Sequence, residues 1–124
     1  MPVIKELIAS TGIILSTAMP GQDLKVLMIG NSFSICVGKN LPQIVNSIPG
    51  NSLTLASAYI GGCPLETHWK NIEAIEKNPD DPAGQAYQVN IWSSDPKQKM
   101  IERRGNVKEL LTLEHWDVVT IQQA

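Results

Sequence analysis

The chain is 124 residues long, 43% hydrophobic and 18% charged, with a formal net charge of -2. That length allows one globular domain at most, and scattered Lys and Arg in a slightly acidic chain leave no footprint for nucleic acid or an anionic membrane surface. The only cysteines, Cys36 and Cys63, match no zinc spacing and are too sparse for a disulfide framework, so no metal or cofactor is expected and a single bridge stays open.

Residues 1-23 read as an appendage to the fold. Lys5 precedes the apolar segment Leu7 to Leu15, and Ser16, Thr17 and Ala18 supply small residues suited to a cleavage site. This is a weak secretory-signal pattern, too short for a membrane span. Glu6 and the Ser, Thr and Gly inside the apolar segment count against it. Export to the periplasm or beyond, with Met19 to Asp23 as a tether, stands beside a tail or surface helix on a cytoplasmic protein.

The fold proper is expected to open with Leu24 to Ile29, where Val26, Leu27, Met28 and Ile29 show no polar alternation. Such a run suits a strand covered on both faces, as in the centre of a parallel sheet. Gly30 permits a tight turn, and Asn31, Ser32 and Ser34 are residues that hydrogen-bond locally to backbone. The carboxyl end of a strand is where open α/β sheets place ligands. Ser32 is therefore either part of a functional turn or of an ordinary strand-to-helix turn capped by Ser34.

The next apolar spacing, Leu41, Ile44, Val45 and Ile48, predicts a helix buried along those positions. Gly38 and Pro42 restrict its start, so its regular part is expected from near Asn40, ending at Pro49-Gly50, with Phe33 to Lys39 partly irregular. Ser52 to Ile60 predicts a short strand closed by Gly61-Gly62. Pro64 to Lys77 predicts a helix with Leu65, Trp69, Ile72 and Ile75 on one face. Within it, His68 is the one histidine near the proposed turn, better suited to a substrate contact or a capping bond than to general-base work. His115 reads as structural.

Asn78 to Gly84 is a loop. Tyr87, Val89 and Ile91 alternate with Gln88 and Asn90, a half-exposed strand; Ser93 to Pro96 is a turn and Lys97 to Glu102 a returning strand, giving a hairpin near 86-103 beside the sheet. Tyr87 and Trp92 either stack on a sugar ring or pack the hairpin. Asn106 is placed to cap a helix over Val107 to Leu113. Asp117 to Gln122 predicts a strand apolar on both faces, which wants neighbours on both sides.

Three stretches together resemble the SGNH (GDSL-type) hydrolases. Val-Leu-Met-Ile-Gly-Asn-Ser-Phe-Ser at Val26 to Ser34 resembles their first block, Gly-x-Ser-x-Ser/Thr, which carries the nucleophilic serine. Ser34 stands where the lipase elbow has a second glycine, so the α/β-hydrolase type fits less well. Ala58 to Glu66, with Gly61-Gly62-Cys63, falls where the second block and its oxyanion glycine belong. Trp116 to Ala124 looks like the strand leading into the third block. The set most resembles an uncharacterised bacterial branch of that superfamily.

The resemblance implies a flavodoxin-like three-layer α/β sandwich around a parallel sheet of order 2-1-3-4-5. Only its N-terminal part would be present, over residues 24-124, with the third strand interior in the whole fold. The third-block asparagine and the C-terminal Asp-x-x-His block would fall beyond Ala124. By the same resemblance, the function is a serine esterase or deacylase acting on a small ester or on O-acyl groups of carbohydrate. Ser32 would be the nucleophile. The N-H groups of Ser32 and Gly62, with Gly61 as the fallback, would form the oxyanion hole, and Asn31 and His68 would contact substrate. A serine hydroxyl needs a base and oxyanion donors to act, and no acceptable base occurs in these residues. The other class is a non-catalytic anion- or sugar-binding α/β module. An exposed third strand would also invite self-association.

Overall fold

A computed structural model describes residues 21-122. The export reading rests on a segment that lies almost entirely outside the described residues, as do Gln123 and Ala124. In chain order the elements are β1 (Asp23–Gly30), α1 (Phe33–Asn46), β2 (Ser52–Tyr59), α2 (Leu65–Lys77), a 3-10 turn (Pro82–Gln85), β3 (Tyr87–Ser93), β4 (Ile101–Gly105), α3 (Val107–Leu113) and β5 (Val118–Ile121). This is an α/β arrangement on one five-stranded sheet of order β4-β3-β2-β1-β5.

The sheet is mixed. β1 runs parallel to β2 on one side and to β5 on the other, while β3 and β4 continue past β2 in antiparallel register. The apolar run of β1 is thus central, and Leu27, Met28 and Ile29 are buried, as their unbroken hydrophobicity requires. The hairpin extends the same sheet, pairing Ser57 with Asn90 and Ala56 with Ile91. Its returning strand begins at Ile101 instead of Lys97. The Asp95 side chain and carbonyl hold the N-H groups of Lys97 and Gln98 in the turn, which lengthens the loop. β5, which wants two neighbours, has only β1 among the described residues and forms a sheet edge.

Side chains alternate between two helix-covered faces. On one, Leu27, Ile29, Ala56, Ala58, Tyr87 and Val89 pack with Val107 and Leu110 of α3 and with Ile72 of α2. On the other, Met28, Leu53, Leu55 and Trp92 pack with Ile35 and Val45 of α1. At the head of α3, the Asn106 side chain accepts the Glu109 N-H at 2.8 Å, the expected cap.

Two helices depart from expectation. α1 begins directly after Ser32, with Pro42 inside it, and Asn40 is no cap. Its buried residues are Ser34, Gly38 and Pro42, one row at four-residue spacing. A Cβ on Gly38 would stand 2.4 Å from the Trp92 ring. The residues read as breakers are therefore the contact row: their small size lets the helix lie close on the sheet, and Leu41 and Ile44 remain outside. The helix gives up one backbone bond at Pro42 in return. In α2 the buried residues are His68 and Ile75, while Leu65 and Trp69 are exposed. His68 and Ile75 share the same helical spacing as the expected face, and a partner for the imidazole inside the core decides between the two. Tyr87 and Trp92 are both buried packing residues, which removes the sugar-stacking alternative. Cys36 and Cys63 are free thiols, so the bridge is not formed.

Candidate active site

The carboxyl ends of β1, β2 and β5 meet at one edge of the sheet. Gly30 pairs in register with Tyr59 and its carbonyl accepts the Ile60 N-H at 3.2 Å, so the turns that follow β1 and β2 emerge side by side. Ser32 stands on the first turn and Gly62 on the second. On the other flank the Gln122 N-H donates to the Ile29 carbonyl at 2.8 Å. A Cβ on Gly30 would come within 2.8 Å of Gln122 Cβ. Gly30 is needed there because the neighbouring chain lies against it. Gln122 is thereby a further polar residue at this edge, which strand-by-strand reading of the sequence did not single out. The sign of it was the parallel run of β5, which sends its last residue to the same end as Ser32.

The Ser32 turn is fixed from below. Asn31 is buried; its Oδ1 accepts the Phe33 N-H at 3.1 Å, and its carbonyl accepts the Ser34 N-H at 3.2 Å and the Ser34 hydroxyl at 2.7 Å. The Ile35 N-H returns to the Ser32 carbonyl at 3.1 Å. These bonds engage the N-H groups of Phe33, Ser34 and Ile35 in the first turn of α1. Among the described residues, the N-H groups of Ser32, Gly61 and Gly62 donate to nothing. They are donors free for an oxyanion, assisted by the partial positive charge at the start of α1. Ser32 itself is exposed and its hydroxyl makes no capping bond. Gly62 has φ +63, a left-handed conformation that suits glycine, and open space surrounds it. Asn31, expected to touch substrate, is 3% exposed and its Oδ1 is engaged in shaping the turn.

His68 is also buried. Its Nδ1 lies 2.7 Å from the Tyr87 hydroxyl and 3.9 Å from Cys63 Sγ, and the two rings stack with centroids 5.4 Å apart. Its Nε2 has no partner among the described residues. Burial lowers its pKa below the ordinary 6.5, raises that of Tyr87 to about 12, and raises that of the Cys63 thiol. All three groups are accordingly neutral near pH 7. The expected substrate contact at His68 meets a side chain enclosed in the core, behind the Gly61-Gly62 turn. His115 precedes β5, whose Val118 pairs with Val26, at the opposite edge of the sheet. Neither histidine is hydrogen-bonded to Ser32, and the described residues contain no cluster of His, Cys, Asp and Glu that could hold a metal.

Beside Ser32 a groove of ≈ 450 Å³ runs between α1 and the β1–β5 side of the sheet, lined by Met28, Phe33, Val37, Leu41, Thr120 and Gln122. It is apolar along most of its length and polar where Gln122 meets the turn.

Compared with known families, residues 25–124 match the model of "Domain of unknown function (DUF4886)". The chain belongs to the DUF4886 family. Among solved structures, it is similar to a DUF4886 family protein from Bacteroides uniformis ATCC 8492, at 28% identity and a TM-score of 0.62. The likeness covers 83% of this DUF4886 chain and 36% of that one, so the chain spans about a third of that protein's length. No curated protein matches.

Proposed function

We infer that this DUF4886 chain carries the nucleophile and oxyanion site of an SGNH-type serine esterase or deacylase. The observation that carries this reading is the state of Ser32: an exposed hydroxyl without a capping bond, on a turn held by Asn31 and Ser34, with its own N-H and that of Gly62 unengaged. Ser32 Oγ attacks the ester carbonyl and passes its proton to a base. The oxyanion is held by the two N-H groups, the alcohol leaves, and water then releases the acid from the acyl-enzyme. The substrates are small carboxylic esters, with O-acyl groups on carbohydrate as the class suggested by the resemblance. The order β2-β1-β5 among the parallel strands supports the flavodoxin-like layout, which places this edge at the ligand end of the sheet. The base lies outside the described residues, since His68 is enclosed and His115 stands at the far edge. The apolar segment Leu7 to Leu15 supports export, where such acyl groups on polymers are met.

The test is covalent labelling of the full-length protein with a fluorophosphonate. An adduct on Ser32, lost in Ser32→Ala, supports the esterase. Absence of any adduct, together with ligand binding that survives Ser32→Ala, would instead make the chain a non-catalytic anion- or sugar-binding module.

A further inference from the structure

We propose that Ser57, on β2 and out of reach of any substrate, is a positioning residue for Ser32; this rests on the esterase reading of the turn. Ser57 is fully buried, and its Oγ lies 3.0 Å from Ser34 Oγ. The direction of that bond follows from the next one. Ser34 Oγ is 2.7 Å from the Asn31 carbonyl, and a carbonyl can only accept, so the single Ser34 proton is engaged there. Ser57 must then be the donor to Ser34. The result is a directed relay: Ser57 O-H to Ser34 Oγ, Ser34 O-H to the Asn31 carbonyl, and from that carbonyl the peptide leading into Ser32.

A buried polar neighbour stands behind it. Asn90 is the antiparallel partner of Ser57 on β3, so their side chains share a face. It is 3% exposed, and its Nδ2 has no partner among the described residues. The two side chains are not hydrogen-bonded to each other, so the relay starts at Ser57. The buried interior of the sheet is thus tied to the turn that holds the Ser32 hydroxyl. Without Ser57, Ser34 Oγ would sit in the core with an unmet lone pair, and the Asn31 peptide would lose its brace.

The experiment pairs two readouts on the full chain: amide exchange across Phe33 to Ile35, and the second-order rate of Ser32 labelling by a fluorophosphonate in the full-length protein. Ser57→Ala should speed exchange at Ser34 and Ile35 by about two- to tenfold and slow labelling by a similar factor, with exchange at Leu110 on the far face unchanged. Ser34→Ala should do the same, and the double variant should match Ser34→Ala alone, because one relay carries both effects. Unchanged exchange at Ser34 and Ile35 in Ser57→Ala overturns the relay, whether or not Ser32 reacts. Faster exchange with undiminished labelling leaves Ser57 structural only and overturns its positioning role. A wild-type protein that takes no label removes the esterase reading and, with it, any positioning for catalysis, while exchange still reports whether the relay braces the turn.

Discussion

On the face bearing α2 and α3, the large side chains Leu27, Tyr87, Val89 and Leu110 are fully covered. On the other face, α1 leaves Phe33 at 68%, Ile44 at 57% and Leu41 at 36% exposed. Both faces belong to one sheet, so the contrast comes from the helices. α3 presents Val107 and Leu110 to the sheet, whereas α1 presents Ser34, Gly38 and Pro42. A small-residue row lets a helix approach closely but buries little apolar area, and each Leu, Ile or Phe left outside forgoes roughly 1.5–3 kcal/mol of burial. Stability should therefore reside in the cluster beneath α2 and α3, although their outward side chains Leu65, Trp69 and Leu111 are exposed, and the groove beside α1 should be a surface that other groups meet.

The sharpest way to break this contrast is to truncate one residue on each side. Leu110→Ala should destabilise the fold by about 2–5 kcal/mol, measured by denaturant unfolding, because it opens a cavity in a closed cluster. Phe33→Ala should change stability by less than about 0.5 kcal/mol. Equal losses would mean that the two faces are equally finished. Next in size is Gly38→Ala. Its methyl would stand 2.4 Å from the Trp92 ring, and overpacking of this kind costs about 1–3 kcal/mol. A stabilised Gly38→Ala, the result expected from helix propensity alone, would show that α1 does not rest on its small-residue row.

How far the sequence anticipated this depends on how local each cause is. The Asn106 cap and the limits of α3 were legible because a side chain meets a backbone N-H three residues away. β1 was legible because an unbroken apolar run needs cover on both faces. The course of α1 was not: Gly38 and Pro42 are helix breakers by propensity, and only the ring of Trp92, arriving from β3, makes them the buried row. Likewise His68 reads as a polar residue near a site until Tyr87 gives its Nδ1 a partner inside the core. At the site, Ser32, Gly61 and Gly62 could be placed from their motifs. Ser57, Asn90 and Gln122 could not, since their positions depend on strand register.

His68 gives the face bearing α2 and α3 a pH dependence. Its pKa is lowered on folding from the ordinary 6.5 by burial. The unfolded chain therefore binds the proton more readily, and stability falls as pH drops through the unfolded value toward the lower folded one. Above about pH 7 the contribution is complete. Melting temperature followed from pH 7.5 to 5 should decline in the wild type and decline less in His68→Gln. Parallel curves would show that the imidazole is not enclosed in solution.

The smallest effect on stability, and the most telling about the β5 edge, belongs to Ile121→Lys. Ile121 is exposed on an edge strand, so the change should cost less than about 0.5 kcal/mol in unfolding experiments. An unpaired edge offers a row of free backbone groups, and a lysine placed on it opposes pairing with another chain. If β5 pairs with β5 of a second copy, sedimentation at rising concentration should reveal association in the wild type and its loss in Ile121→Lys. The groove between α1 and β5 sharpens the reading. Two copies joined edge to edge would set their α1 helices about 24 Å apart, five strand spacings of about 4.8 Å, well beyond the 8–10 Å of packed helices. Self-pairing through β5 therefore covers the edge and leaves Phe33, Val37 and Leu41 open, so an apolar dye should still bind the associated form, and dye binding should fall in Phe33→Ser but not in Ile121→Lys.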